Sequence, residues 1–135
     1  MSADPTRRAD PRRELGAAGE ELAARHLEAR GLEIVDRNFR TRYGELDLVA
    51  RDERHLVFCE VKTRIVRAPP GPLGPLASIG ARKQRRVRAM AREWLAAEHS
   101  RLRPASPPEI RFDAVGISVD RAGRLIELEH LEGAF

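Results

Sequence analysis

The sequence of 135 residues is poor in cysteine, aromatic residues and long apolar runs. Its single cysteine, Cys59, excludes an intramolecular disulfide, and together with four scattered histidines it cannot supply a zinc cluster. Four Phe, one Tyr and one Trp are too few for a platform on which successive bases stack. No apolar run reaches the roughly 18 residues of a membrane-spanning helix, and the charged N-terminus is not followed by the apolar stretch of a signal peptide. We therefore expect a cytoplasmic protein without a membrane segment.

The abundant residues are apolar or basic. Hydrophobic residues make up 41% of the chain, which is enough for one compact core in a chain of this length. The formal net charge is +4 and the pI is about 10.1. This excess of cations is typical of proteins that bind nucleic acid, although many Arg-rich proteins do not. Lys62 and Lys83 are the only lysines among 25 cationic side chains.

Hydrophobic periodicity predicts an α/β domain with elements in the order αβββαββ. The predicted helices cover residues 14–30 and 78–98, and the predicted strands cover 32–39, 45–50, 56–63, 109–119 and 124–130. We expect one domain over residues 14–135, with helices flanking a mixed sheet. Residues 1–13 predict a disordered basic tail. The Pro-rich segment 64–77 predicts a loop, and residues 103–108 a linker.

Two carboxylates interrupt the apolar pattern of the predicted central hairpin. Asp47 stands between two leucines, where an unpaired buried carboxylate would be costly. Glu60 and Lys62 are two residues apart on the next strand and therefore share a face. If hairpin partners have residue numbers that sum to an odd value near 107, Asp47 lies opposite Glu60 and Glu45 lies opposite Lys62. Two adjacent carboxylates repel each other unless a cation lies between them, so this pattern indicates a cation site.

Hard oxygen ligands with room for water suit Mg²⁺ or Mn²⁺. Such a metal can bind a phosphodiester oxygen and lower the pKa of an attacking water. A nearby Lys62 can orient that water or stabilise developing charge. The alternative is structural: Asp47 and Glu45 would only form ion pairs with Lys62 and neighbouring arginines at the end of the strands.

Asp47, followed thirteen positions later by Glu60-x-Lys62 on a hairpin behind an N-terminal helix, resembles the PD-(D/E)xK nuclease superfamily. That superfamily includes restriction endonucleases and archaeal Holliday-junction resolvases. Over roughly residues 14–135 the chain more closely resembles the bacterial YraN family, through GxxGE (16–20), RNFR (37–40), GELDLV (44–49), VFCEVKTR (57–64), Lys83 and RFD (111–113). The resemblance implies a restriction endonuclease-like fold with Asp47, Glu60 and Lys62 as the catalytic core. It also implies Glu20 as a further acidic group of the site.

The helical pattern agrees with a role for Glu20, since at 100° per residue it lies beside Leu27 on the edge of the apolar face. From there its side chain can face the sheet and help to hold a metal or its waters. The alternative is a boundary glutamate whose charge interacts favourably with the helix dipole.

Lys83 lies four residues before Val87 and thus on the buried stripe of its helix. It either extends its ammonium to solvent or contacts a phosphate beside the metal. Five arginines are assigned to sequence-independent contact with a nucleic-acid backbone, namely Arg37, Arg40, Arg42, Arg64 and Arg86. The alternative is that they form a charged surface with no ligand.

Two functions fit these features. The first is metal-dependent hydrolysis of phosphodiester bonds in DNA by an endonuclease that selects DNA structure, because the small chain has no room for a domain that reads sequence. The second is a non-catalytic nucleic-acid-binding module with a nuclease fold, acting in a repair, recombination or DNA-uptake assembly. The apposed carboxylates favour the first, since binding alone does not need them. Cleavage of both strands needs two sites, which a homodimer would provide.

Overall fold

The computed structural model describes residues 10–66, 79–102 and 108–135. Its elements are α1 (Pro11–Ala29), β1 (Glu33–Thr41), β2 (Gly44–Arg51), β3 (His55–Ile65), α2 (Ala81–Leu102), β4 (Glu109–Val119) and β5 (Leu125–Leu131). The predicted α/β class and the predicted element order are confirmed. Most boundaries lie within a few residues of their predicted positions.

The first helix begins earlier than predicted. The Asp10 side chain accepts the Arg12 backbone N–H at 3.0 Å, which caps the helix, and Pro11 occupies a first-turn position that needs no N–H donor. The prediction of a disordered tail through residue 13 is therefore wrong for residues 10–13. Residues 1–9 lie outside the described residues.

The predicted Pro-rich loop also begins later than expected. β3 continues to Ile65, and the Val66 N–H donates to the Val119 carbonyl at 2.9 Å. Residues 64–66 are therefore tied to β4, and the prediction of a loop is wrong there. Residues 67–78 and 103–107, which include the rest of that loop and most of the predicted linker, lie outside the described residues.

The five strands form one sheet in the order β1-β2-β3-β4-β5. β3 and β4 are parallel, and the other neighbours are antiparallel, so the sheet is mixed as predicted. α2 lies in the connection between β3 and β4, as expected for a parallel pair. Hairpin partners run from Leu48 with Cys59 to Arg51 with Leu56, and each pair sums to 107. The predicted register is confirmed for these four pairs, whereas the expected pairs of Asp47 with Glu60 and of Glu45 with Lys62 are not formed.

The sheet separates two apolar clusters. On one face Ala23, Ala24 and Leu27 of α1 pack in a cluster with Leu48 and Cys59. On the other face α2 packs against the sheet through its apolar stripe, in a cluster of Leu46, Val49, Leu56, Phe58, Val87, Met90, Ala91 and Trp94. Neither helix, as far as its residues are described, combines the length and apolar character needed to cross a membrane.

Candidate active site at the fork between β2 and β3

β2 and β3 separate beyond the pair of Leu48 and Cys59. From there β2 remains paired with β1 as far as Gly44, while β3 remains paired with β4 as far as Ile65. Asp47 and Glu60, which the register would place opposite each other, therefore stand where the two strands diverge. This fork opens the sheet at the two carboxylates.

Asp47 lies at an irregular point of β2. Leu46 packs in the cluster on the α2 side and Leu48 packs in the cluster on the α1 side, although strict alternation would put both on one face. The neighbouring residue of β1, Asn38, has a φ of 52°, which also departs from strand geometry. The Asp47 side chain accepts the Val61 backbone N–H at Oδ2, at 2.8 Å. The sequence pattern predicted that simple alternation would place this carboxylate. In the structure the irregularity of β2 and the Val61 N–H hold it in the fork instead.

Burial raises the pKa of Asp47 to about 8, and the negative charge of Glu60 adds to this effect. The charge of Glu20 acts in the same direction. The Val61 N–H and the Lys83 ammonium oppose it. Without an added cation, the fork therefore favours a proton on Asp47 at neutral pH.

Lys83 reaches the fork from the first turn of α2. Its Nζ lies 2.8 Å from Glu60 Oε1, and the two side chains are 32% and 11% exposed, respectively. This geometry contradicts the interpretation in which Lys83 extends its ammonium to solvent, and contact with a phosphate stays a prediction. The ammonium is directed to a site carboxylate rather than extended into solvent.

Glu20 is brought to the site by a close approach of α1 to β3. A Cβ added at Gly19 would overlap the Thr63 side chain, so only glycine allows this contact. With the Asn38 amide nitrogen facing the acids, it donates to Glu45 Oε1 at 2.6 Å and to Glu20 Oε2 at 2.9 Å. Burial raises the pKa of Glu20, and the charge of Glu45 adds to the rise. Glu20 therefore faces the other acids, as the resemblance implied.

Asn38 is a site residue that the sequence argument did not single out. Asn is enriched at positive φ, and it is a residue of the RNFR segment on which the resemblance rests. The available signal was an asparagine inside an apolar and basic strand pattern, between Arg37 and Phe39.

Lys62 follows Glu60 on the uninterrupted β3 ladder. Phe58 packs in the α2 cluster and Glu60 contacts Lys83 of α2, so this alternate set of residues faces α2. Lys62 belongs to the same set and is half-buried. It therefore shares the strand face of Glu60, as predicted.

A cavity of about 230 Å³ opens over Glu60, between the β1–β2 turn and α2. Its lining is Tyr43, Gly44, Glu45, Glu60, Lys83, Arg86, Val87 and Met90. A larger and more open depression beside the β2–β3 turn is lined by other residues, mostly charged, and contains none of the predicted site residues. The smaller cavity thus opens onto Glu60 and Lys83, whereas Asp47, Lys62 and Glu20 are not part of its lining.

The five arginines predicted to bind a nucleic-acid backbone differ in their contacts. Three of them pair with acids: Arg37 donates to Glu21 at 2.7 Å, Arg42 donates to Glu93 at 2.9 Å, and Arg40 lies 3.8 Å from Glu45. Arg64 donates to the Ser118 hydroxyl at 3.4 Å. Arg86 lines the cavity. Exposed ion pairs such as those of Arg37, Arg40 and Arg42 contribute little free energy, so a phosphate can compete for them. Of the five, the structure brings Arg86 to the site.

The donor set can be compared with the needs of a metal. Over the described side chains, no three or more His, Cys, Asp or Glu residues are arranged to hold an ion. Mg²⁺ usually takes one or two carboxylates and keeps several waters, so Asp47 and Glu60 would suffice in number and type. The high pKa of Asp47 is the observation that bears on the fit, because a cation next to both carboxylates would replace the proton and remove their repulsion. The two residues therefore fit a hard divalent cation.

Residues 19–117 match the model of the uncharacterised protein family UPF0102. Similar relatives include a UPF0102 protein of Frankia alni, 49% identical over 122 residues that cover 90% of this chain and 93% of the relative. A UPF0102 protein of Rhodococcus opacus is 46% identical over 121 residues, covering 90% of this chain and 95% of the relative. One of Streptomyces griseus is 45% identical over 121 residues, covering 88% and 93%. The matched region contains the whole fork.

Proposed function

We propose that this chain, which belongs to the UPF0102 family, is a metal-dependent nuclease that hydrolyses phosphodiester bonds in DNA. The observation that carries the proposal is that a half-buried Asp47 and a buried Glu60 interact where β2 and β3 diverge. A structural core has no need of two adjacent acids, because each raises the cost of ionising the other. A phosphodiesterase does need them, since they can bind a divalent cation.

Bound Mg²⁺ or Mn²⁺ would polarise the phosphoryl oxygen and lower the pKa of the attacking water. The chain supplies the groups around it. The Val61 N–H fixes one oxygen of Asp47, and the Lys83 ammonium holds one oxygen of Glu60. Both carboxylates are thus oriented before any ligand arrives, which lowers the free-energy cost of organising the site.

Lys62 is assigned the proton-handling and charge-stabilising role. It lies on the strand face of Glu60, where its ammonium can orient the attacking water or stabilise the charge that develops on the phosphate. Glu20 and Glu45, bridged by Asn38, increase the negative charge near the fork and strengthen its attraction for a cation. Arg86 and the paired arginines would hold the backbone without reading its sequence.

The finer assignment, to the YraN family and the PD-(D/E)xK superfamily, is part of the same proposal. Its support is the position of the motif. Asp47 lies on one strand of a hairpin, Glu60 and Lys62 lie on the next, and helices cover both faces of the mixed sheet. Selection of DNA structure, and a homodimer that would supply the second site needed to cut both strands, belong to the same proposal.

A second function is favoured by a specific observation. Lys83 already neutralises Glu60, and no group of three potential ligands is formed among the described side chains. A nucleic-acid-binding module that retained the fold without cutting would have these properties. It would act within a repair, recombination or DNA-uptake assembly.

A substrate screen with matched calorimetry separates the two functions. Single-stranded, duplex, flap and junction DNA are incubated with the protein and Mg²⁺ or Mn²⁺. Binding of Mn²⁺ is measured for the wild type, Asp47→Ala and Glu60→Ala. The nuclease proposal predicts cleavage and a Mn²⁺ site that both variants lose. DNA binding without cleavage, or Mn²⁺ binding that survives in both variants, would favour the binding module.

A further inference from the structure

We infer that Tyr43 stacks on an unpaired nucleobase next to the phosphate held at the fork. The substrate is therefore a nucleic acid that contains an unpaired nucleotide. This inference rests on the proposed function, because it places a phosphate over Glu60. Tyr43 is the only tyrosine of the chain and lies at the turn between β1 and β2. Tyr43 is 44% exposed, although burial of its large ring would be favourable.

Tyr43 lies at the rim of the cavity that leads to the acids. It lines this cavity together with Glu60, Lys83 and Arg86. One aromatic ring and two cations therefore border one opening. A nucleotide has the matching chemistry, since its base offers a flat π face and its phosphate offers negative charge.

The turn that carries Tyr43 is fixed by hydrogen bonds. The Thr41 hydroxyl accepts the Tyr43 backbone N–H at 3.0 Å and donates to the Gly44 carbonyl at 2.9 Å. Gly44 has a φ of 132°, a backbone conformation that residues other than glycine rarely adopt. A ring presented on such a turn loses little conformational entropy when it contacts a ligand.

Arg42 links the same turn to α2. Its guanidinium carbon lies 5.2 Å from the centroid of the Tyr43 ring, and its Nε donates to Glu93 at 2.9 Å. The guanidinium therefore lies over one face of the ring. The remaining exposed surface of the ring is available to a base.

The pairing state of the base follows from this geometry. In a duplex, each base has both faces covered by its neighbours, so stacking on Tyr43 requires a base that has left the stack. One exposed ring can hold one base and cannot form a platform for several. We therefore expect the contact at a flap, junction, gap or single strand, because a base there is already unpaired and no free energy is needed to unpair it.

The test uses 2-aminopurine, a base analogue whose fluorescence falls on stacking. It is placed at one position of a single-stranded oligonucleotide and at the same position of the paired duplex. Binding to the full-length protein is followed by anisotropy and by fluorescence, with EDTA present to prevent cleavage. The variants are Tyr43→Phe, which keeps a ring, and Tyr43→Leu, which keeps an apolar side chain. Arg54→Gln, on the distant β2–β3 turn, is the control for changes at exposed turns.

The wild type and Tyr43→Phe are expected to quench the unpaired analogue equally. Tyr43→Leu should abolish the quench and weaken single-strand binding by about tenfold. Duplex binding should be the same in all four proteins. Equal single-strand binding by Tyr43→Leu, or an equal loss for strand and duplex, would overturn the inference. A wild type that quenches the analogue but cuts no DNA with Mn²⁺ would instead overturn the proposed hydrolysis and leave the stacking contact in place.

Discussion

The Asp47 carboxylate accepts the Val61 N–H at 2.8 Å, although the two residues lie on strands that no longer pair at that level. In a continued ladder, Val61 would lie opposite Leu46, and a backbone carbonyl would take this N–H. A side-chain oxygen of β2 serves that N–H instead. The contact gives the Val61 N–H an acceptor and holds the carboxylate next to Glu60. The separation of β2 from β3 therefore also forms the site.

The raised pKa of Asp47 predicts how stability depends on pH in the metal-free protein. The folded state holds the proton up to a pH of about 8, whereas the ordinary value is 3.8. The unfolded chain therefore loses this proton first, and ionisation favours unfolding as pH rises from about 4 to about 8. Asp47→Asn removes this titration. Its advantage over the wild type should grow by at least about 1.4 kcal/mol, the equivalent of one pKa unit, between pH 4 and pH 8.

Urea denaturation of both proteins in EDTA across this pH range measures the difference. Glu127→Gln, a change of one exposed carboxylate on β5, is the matched control and should follow the wild type. Parallel stability curves for Asp47→Asn and the wild type would show that Asp47 titrates as an ordinary acid.

The close approach of α1 to β3 predicts opposite effects for two glycines of one helix. Gly19→Ala places a Cβ in the Thr63 side chain, so it should destabilise the fold by about 1–3 kcal/mol and displace Glu20. Gly16→Ala meets no atom within 4 Å and should stabilise the helix by about 0.5–1 kcal/mol. Thermal unfolding of both variants makes the comparison. A stabilised Gly19→Ala would mean that the two elements lie farther apart.

Asp113 is expected to matter for stability rather than for chemistry. It is fully buried and accepts two hydrogen bonds from Arg111, at 2.8 and 2.9 Å. The Gly133 N–H donates to it at 3.1 Å, and His130 contacts it at 2.8 Å. Asp113→Ala leaves these donors unpaired and should cost about 3–5 kcal/mol. Chemical denaturation measures the cost, and a loss below 1 kcal/mol, roughly that of an exposed ion pair, would contradict it.

The two lysines should differ when each is replaced by arginine. Lys62→Arg keeps the charge, but a planar guanidinium cannot occupy the space of a compact ammonium beside a water. Cleavage should fall on the order of a hundredfold while DNA affinity is retained. Lys83→Arg should be milder, because a guanidinium can also pair with Glu60. Single-turnover cleavage and equilibrium binding of both variants provide the measurements. Full activity of Lys62→Arg would mean that Lys62 contributes only a positive charge at the end of the strand and has no specific role in cleavage.

The parts of the fold that rest on local pattern could be predicted from sequence. The assumed hairpin register holds from Leu48 to Arg51, and the apolar stripe of α2 placed Lys83 on its buried side. Contacts between distant segments could not be predicted in this way. The positive φ of Asn38 and the overlap that excludes a side chain at Gly19 depend on how α1, β1 and β3 pack together.

The same limit applies to the buried network around Asp113. His26 of α1 lies 2.9 Å from His130 of β5, and these residues are separated by 104 positions in the chain. No periodicity links them, since each belongs to a different element. The RFD segment (111–113) therefore has a structural role, in which Arg111 and Asp113 belong to this buried network.

The most direct test of the central claim is single-turnover cleavage of DNA in Mn²⁺ by the wild type, Glu60→Gln and Glu127→Gln. Glu60→Gln keeps the size of the side chain but removes a charge from the fork, whereas Glu127→Gln removes a charge from the exposed β5 strand. If Asp47 and Glu60 hold the metal for phosphodiester hydrolysis, the wild type and Glu127→Gln should cut at equal rates, and Glu60→Gln should bind DNA without cutting it. Cleavage by Glu60→Gln at the wild-type rate would contradict the account.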